Sequence, residues 1–250
     1  MPMRASLLRH AIVLGALAAV ELGCRAGLIS AQLLPAPSAI AMALYGLLAS
    51  GALAADIATT SRNIALASVI AVTGGIALGV AIHAVPRLRR ALDPFLASYY
   101  AVPFFVFYPV FIVLFGMGDA PIVAMGALFG IVAMIIAALN GLDRVPHALL
   151  KTARLYRMGP LATALRITLP SAAPHLMTGV KLAITYCFIA VIAAEFILSS
   201  SGLGYSIAYA FNNFETLRMY AIVLLILAVS ITLNGVLRAI EQAALRRRGL

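Results

Sequence analysis

The sequence predicts an all-α integral membrane protein of about six transmembrane helices, on three observations. The 250 residues are 64% hydrophobic and only 10% charged, against roughly half apolar and a quarter charged in soluble domains. That much apolar surface needs lipid as part of its solvent. Six apolar runs also approach the about 20 residues that a helix needs to cross a bilayer. The net charge of +10 is spread between those runs rather than gathered into a basic domain, so a lipid bilayer and not nucleic acid is the expected surrounding. Backbone groups in lipid must bond within their own segment, and the period-two alternation of barrel strands is missing, so the spans are helical.

The spans fall at residues 10–29, 64–85, 97–115, 122–140, 182–198 and 220–237. Arg4 and Arg9 ahead of an apolar run resemble a signal peptide, but the apolar character continues toward Ile29, so an uncleaved first helix is expected. Glu21 and Arg25, four residues apart, can pair on one helix face. Residues 32–62, with Pro35, Pro37, Asp56 and the Thr59-Thr60-Ser61 run, read as an external loop with a short surface helix at 40–48. In the second span Gly75-x-x-x-Gly79 permits close helix approach. The third span is dense in aromatics. Tyr100, Phe104 and Tyr108 recur every four residues, which sets them on one face of a helix. They are read as lining a pathway or gate suited to a solute with an apolar or aromatic body. The whole chain, 1–250, is expected to be one transmembrane domain.

Basic residues orient the bundle, because cytoplasmic loops are enriched in them. With six spans and a cytoplasmic N-terminus, only Arg25, Arg62 and Arg218 of the 18 lie outside. The other 15 lie inside: Arg4, Arg9, Arg87, Arg89, Arg90, Arg144, Lys151, Arg154, Arg157, Arg166, Lys181, Arg238, Arg246, Arg247 and Arg248. Both termini are therefore expected in the cytoplasm.

The longest cytoplasmic connection is 142–178, and a connection of this length in a small membrane protein is usually functional. Within it, residues 146–158 read as a helix with Lys151, Arg154 and Arg157 along one side. Gly159-Pro160 breaks that helix. A second short helix at 161–168 ends at Leu169-Pro170, and Pro174 follows before the fifth span. The basic stripe suits anionic headgroups or an acidic groove on a cytoplasmic partner.

Catalytic and metal chemistry find little support. Cys24 and Cys187 lie far apart in apolar segments, and His10, His83, His147 and His175 show no ligand spacing. Gly116-Met117-Gly118-Asp119 resembles the Gly-x-Gly-Asp of intramembrane aspartyl proteases, but Asp56, Asp93 and Asp143 fall in or beside loops and leave it no second acid. No Gly-x-x-x-x-Gly-Lys-Ser/Thr loop is present to hold a nucleotide.

The 142–178 segment resembles the signature loop of binding-protein-dependent ABC transporter permeases: Glu-Ala-Ala, three residues, Gly, nine residues, Ile, any residue, Leu-Pro. Ala153, Ile167, Leu169 and Pro170 stand in register. Lys151 replaces the Glu, Thr152 the first Ala and Arg157 the Gly, with Gly159 two residues later. Leu34-Pro35-Ala36-Pro37-Ser38, Asp93-Pro94 with Val102-Pro103 and Tyr108-Pro109, Phe115-Gly116-Met117-Gly118, and Ala194-Glu195-Phe196 with Gly202-Leu203-Gly204-Tyr205 resemble the nitrate/sulfonate/taurine branch. The resemblance implies a type I ABC importer permease fold in the bacterial inner membrane, with cytoplasmic coupling helices. It implies two ABC ATPase subunits as partners, a second permease copy in a homodimer, and a periplasmic or lipid-anchored solute-binding protein. ATP and Mg would be bound by the ATPase, and no cofactor by this chain. Glu195 matches the family's Glu and is expected to brace the outer gate through hydrogen bonds. A secondary, ion-coupled carrier is the alternative; it needs ionisable groups or broken helices near the midplane.

Overall fold

The computed structural model describes the backbone of residues 2–246, and the side chains other than those of 1–7, 9, 10, 104, 160, 161 and 244–250. The side chains of Arg4, Arg9, Phe104, Pro160 and Arg246, and all of Arg247 and Arg248, lie outside the described residues.

Four helices among the described residues are long and apolar enough to cross a bilayer: α3 (Ala54–Ala84), α6 (Asp119–Asp143), α9 (Leu169–Leu198, continuous with a turn that starts at Ala164) and α11 (Thr216–Arg246). A bent pair, α4 (Pro86–Ser98) and α5 (Tyr108–Phe115), supplies a fifth. The 24 residues of α1 (Pro2–Arg25) match the length of a sixth. Shorter helices are α2 (Pro37–Ala49), α7 (His147–Leu155), α8 (Pro160–Thr163) and α10 (Leu203–Asn212). Among the described residues no strand occurs.

The core is a trio, α3, α6 and α9, with α6 the most buried. Small residues let these helices touch. A Cβ on Gly79 would lie 2.6 Å from the Ala138 Cβ, and one on Gly126 2.6 Å from a Val191 methyl. Gly75-x-x-x-Gly79 therefore seats α3 on α6, and Gly126-x-x-x-Gly130 seats α6 on α9.

Three expected boundaries are corrected. The second span starts at Ala54, not 64, so the external loop ends nine residues early, and Asp56, Thr60 and Arg62 are helical. Hydropathy hides this because their polar groups are spent on neighbouring helices. The third span is not one helix over 97–115. It bends by 92°, and residues 99–107 form two 3₁₀ turns around Pro103, which lacks an N–H donor and holds Val102 extended. The coupling segment closes at 168, because α9 starts at Leu169 instead of 182. A π-turn, Ala164–Thr168, runs straight into α9, and Pro170 sits in its first turn, where a proline is tolerated. Leu169-Pro170 is thus a continuation and not a stop.

The two ends of the bundle differ. One carries α7 and α8 and is called the hook end; the other carries α2 and α10 and is called the latch end. At the hook end Arg89 on α4 donates to both carboxylate oxygens of Asp143 on α6, and His83 of α3 lies 3.3 Å from Asp143. Lys181 of α9 pairs with Glu241 of α11 at 2.7 Å, and Thr178 donates to the same carboxylate. Arg25, Arg62 and Arg218, the three cations assigned to the outside, are all paired, with Glu21, Asp119 and Glu215.

Candidate functional site

At the latch end the buried Glu195 of α9 accepts three hydrogen bonds, from Thr60 Oγ1 (2.7 Å), Asn63 Nδ2 (3.2 Å) and the Gly204 N–H (3.2 Å). The Leu203 N–H donates to Thr60 Oγ1 (2.8 Å), the Gly202 N–H donates to Asp56 Oδ1 (2.9 Å), and Ser206 donates to Asp56. Three successive N–H groups at the start of α10, orphaned in any helix N-terminus, are thus met by side chains of α3 and α9. Two of the acceptors are carboxylates, which the positive end of a helix favours.

The Gly-Leu-Gly sequence follows from this geometry. Gly202 has φ +97°, and a Cβ there would lie 2.6 Å from the Glu195 carboxyl. A Cβ on Gly204 would lie 2.6 Å from the Glu195 Cβ and 2.7 Å from the Phe196 N. The network reaches the surface through Asn63, 3.4 Å from Asp119, which pairs with Arg62. The buried Oδ1 of Asn63 has no hydrogen-bond partner among the described residues.

Sequence reasoning found Glu195 and missed Asp56, Thr60, Asn63 and Ser206. Their signal was the i, i+4, i+7 spacing of Asp56, Thr60 and Asn63, unreadable while 32–62 was taken as loop. At the same end Glu21 bonds Arg25, and also accepts from the Ser38 N–H (3.0 Å) and hydroxyl (2.6 Å). It caps α2 from α1.

The remaining gate candidates lie elsewhere. Tyr100 packs beside Tyr186, which precedes Glu195 by nine residues or roughly 14 Å of helix. Tyr100 packs with Phe129 (centroids 5.3 Å) and Tyr186 (4.9 Å). No described contact joins it to Tyr108, because the break at 99–107 destroys the shared face. Tyr100 and Tyr186 close one end of a cavity of about 230 Å³ between α6 and α9.

At the hook end Ala153 is buried on the inner face of α7, while Lys151, Arg154 and Arg157 are exposed and enter no salt bridge among the described residues. The apolar Leu155 (82% exposed) and Tyr156 (78%) stand beside them, a pair the charge pattern did not single out. The Arg157 N–H bonds Arg154 O, and the Met158 N–H bonds Ala153 O. This closes α7 with a Schellman turn, which puts Arg157 at φ +49°. Its position is the one where the signature loop carries Gly. Gly159 is exposed, with open space around it, while Ile167 and Leu169 are half-buried where the π-turn joins α9.

A glycine-packed helical bundle with a buried polar latch, an intramembrane cavity and a basic hook defines a multi-pass solute-transport subunit. The family described as binding-protein-dependent transport system inner membrane component matches residues 71–246, and the chain belongs to it. It is similar to the putative aliphatic sulfonates transport permease protein of Bacillus subtilis, 27% identical over 89% of this chain and 80% of that one. It is also similar to the taurine transport system permease protein of Escherichia coli, 28% identical over 74% of this chain and 68% of the other. Its fold is similar to that of an inward-facing MetNI methionine ABC transporter, with a TM-score of 0.64, 16% identity, and coverage of 74% of this chain and 92% of that one. The resemblance to the nitrate/sulfonate/taurine branch is thereby established. The chain is the permease subunit of an ABC importer with the type I fold. It is a transport subunit rather than an enzyme, partnered by an ATPase and a solute-binding protein.

Proposed function

We propose that the chain works as a homodimer on two ABC ATPase subunits, both termini in the cytoplasm, and imports a small solute such as a sulfonate, nitrate or taurine. The solute is handed over by a periplasmic or lipid-anchored binding protein. ATP and Mg sit on the ATPase, and this chain holds no cofactor. The observation that carries this reading is the path from hook to latch. The exposed stripe of Lys151, Arg154 and Arg157 lies on α7 and the turn that closes it, and after that turn the chain runs from α8 through Ile167, Leu169 and Pro170 into α9 as one continuous helical segment. Glu195 lies 26 residues beyond Leu169, roughly 39 Å along α9, and holds α10. ATP-driven closure that draws two hooks together moves α9 as a lever and the Glu195 brace with it. A flexible connection would absorb the motion.

The test is gentle purification from native membranes with measurement of native mass. A two-to-two complex with an ABC ATPase is expected. A bare oligomer that transports without ATP would replace this reading with an ion-coupled carrier.

A further inference from the structure

The cavity between α6 and α9 is elongated and chemically divided. Its α9 wall runs from His175 to Tyr186, 11 residues or roughly 16 Å, and α6 faces it antiparallel from Ala133 to Asn140. At one end the rings of Tyr100, Phe129 and Tyr186 meet from three different elements. At the other stand Asn140 and His175, whose side chains make no hydrogen bond among the described residues. Thr178 beside them is already bonded to Glu241, whose charge is met by Lys181. Among the described residues no Asp, Glu, Lys or Arg lines the cavity.

Resting on the importer reading, we propose that this cavity is a solute site for a small organic anion built on a planar aromatic ring, of the arenesulfonate type. The rings of Tyr100 and Tyr186 lie 4.9 Å apart and only 33° from parallel, a pair that opens into a sandwich once separated by about one further ring thickness, 3.5 Å. Tyr100 sits on the 3₁₀ turn at the break of the third span, its hydroxyl donating to Phe129 O at 3.3 Å. That side can yield while Tyr186 stays fixed on the core helix. The oxyanion end meets the Asn140 amide and the His175 imidazole, each of which offers an N–H. With no fixed cation in the cavity, an ion lacking a ring gains only those hydrogen bonds, so ring stacking sets the preference.

The chain contains no tryptophan, so Tyr186→Trp in lipid nanodiscs gives a single local reporter, with Phe129→Trp as a second in case the first misfolds. Benzenesulfonate is expected to shift the emission saturably, at a concentration at least tenfold below that of methanesulfonate. Taurine and nitrate should behave like methanesulfonate. Adding Tyr100→Ala should erase the tenfold difference. Equal responses to benzenesulfonate and methanesulfonate, a preference that survives Tyr100→Ala, or no saturable response from either reporter would overturn the proposal. Co-purification of the same variants with the ATPase reads the importer assignment separately.

Discussion

Arg157 shows what one backbone angle costs. At φ +49° an L side chain is strained by roughly 1–2 kcal/mol, and glycine escapes that strain at some loss of unfolded-state entropy. Arg157→Gly is therefore expected to stabilise the protein by about 1 kcal/mol, or about 2–4 °C in Tm, measured by thermal unfolding in detergent. An unchanged or lower Tm would show that the arginine makes a compensating contact. Glu195 makes the opposite case. Alanine there strands the Gly204 N–H, the Asn63 amide and the Thr60 hydroxyl in a buried site, at about 1–3 kcal/mol for each unsatisfied donor. Glutamine keeps an acceptor for Gly204, and its amide can donate to the idle Asn63 Oδ1 once that amide turns. Glu195→Ala should lower Tm at least twice as far as Glu195→Gln. Equal losses would mean that the carboxylate charge, and not the hydrogen-bond count, holds the latch.

Among the elements, α11 depends most on polar ties, since its apolar face is largely left to lipid. Lys181–Glu241 and Thr185–Asn234 fasten it to α9. The pair is mostly buried, with side chains 26% and 13% exposed. Breaking one partner of a buried pair is more costly than removing both. Lys181→Met alone should cost about 2 kcal/mol, after discounting for the partial exposure. Lys181→Met with Glu241→Leu should recover most of that, as read by thermal unfolding. A double variant no better than the single would show that the ion pair itself, and not the stranded carboxylate, sets the energy. The broken span follows a different logic. Pro103 removes a donor where a straight helix would need one, and the aromatic run that suggested a single face is divided between two turns and α5.

At the scale of the molecule, hook and latch are the two ends of one lever. Reversing charge at Lys151, Arg154 and Arg157 together should leave membrane insertion unchanged and uncouple ATP hydrolysis from transport in the reconstituted complex. Normal coupled transport by that variant would assign the stripe to lipid headgroups. The core trio is indifferent to this change, because it is joined by glycine contacts and apolar burial that no charge at the hook reaches.

The sequence by itself determined the class of protein, its apolar helical character and the signature loop, because hydropathy and motif spacing are local properties readable along the chain. It also singled out Glu195, an acid in an apolar run with no basic neighbour. It missed Asp56, Thr60 and Asn63, whose polarity made a helix look like a loop. Their partners, 130 to 150 residues away, are visible only once α3 and α9 lie side by side. It likewise placed Tyr100 with Phe104 and Tyr108, where the fold pairs it with Phe129 and Tyr186. Periodicity assumes a continuous helix, and Pro103 breaks that assumption. Only the tertiary structure decided which side chains meet, since buried hydrogen bonds and ring contacts form between segments that the linear order holds far apart.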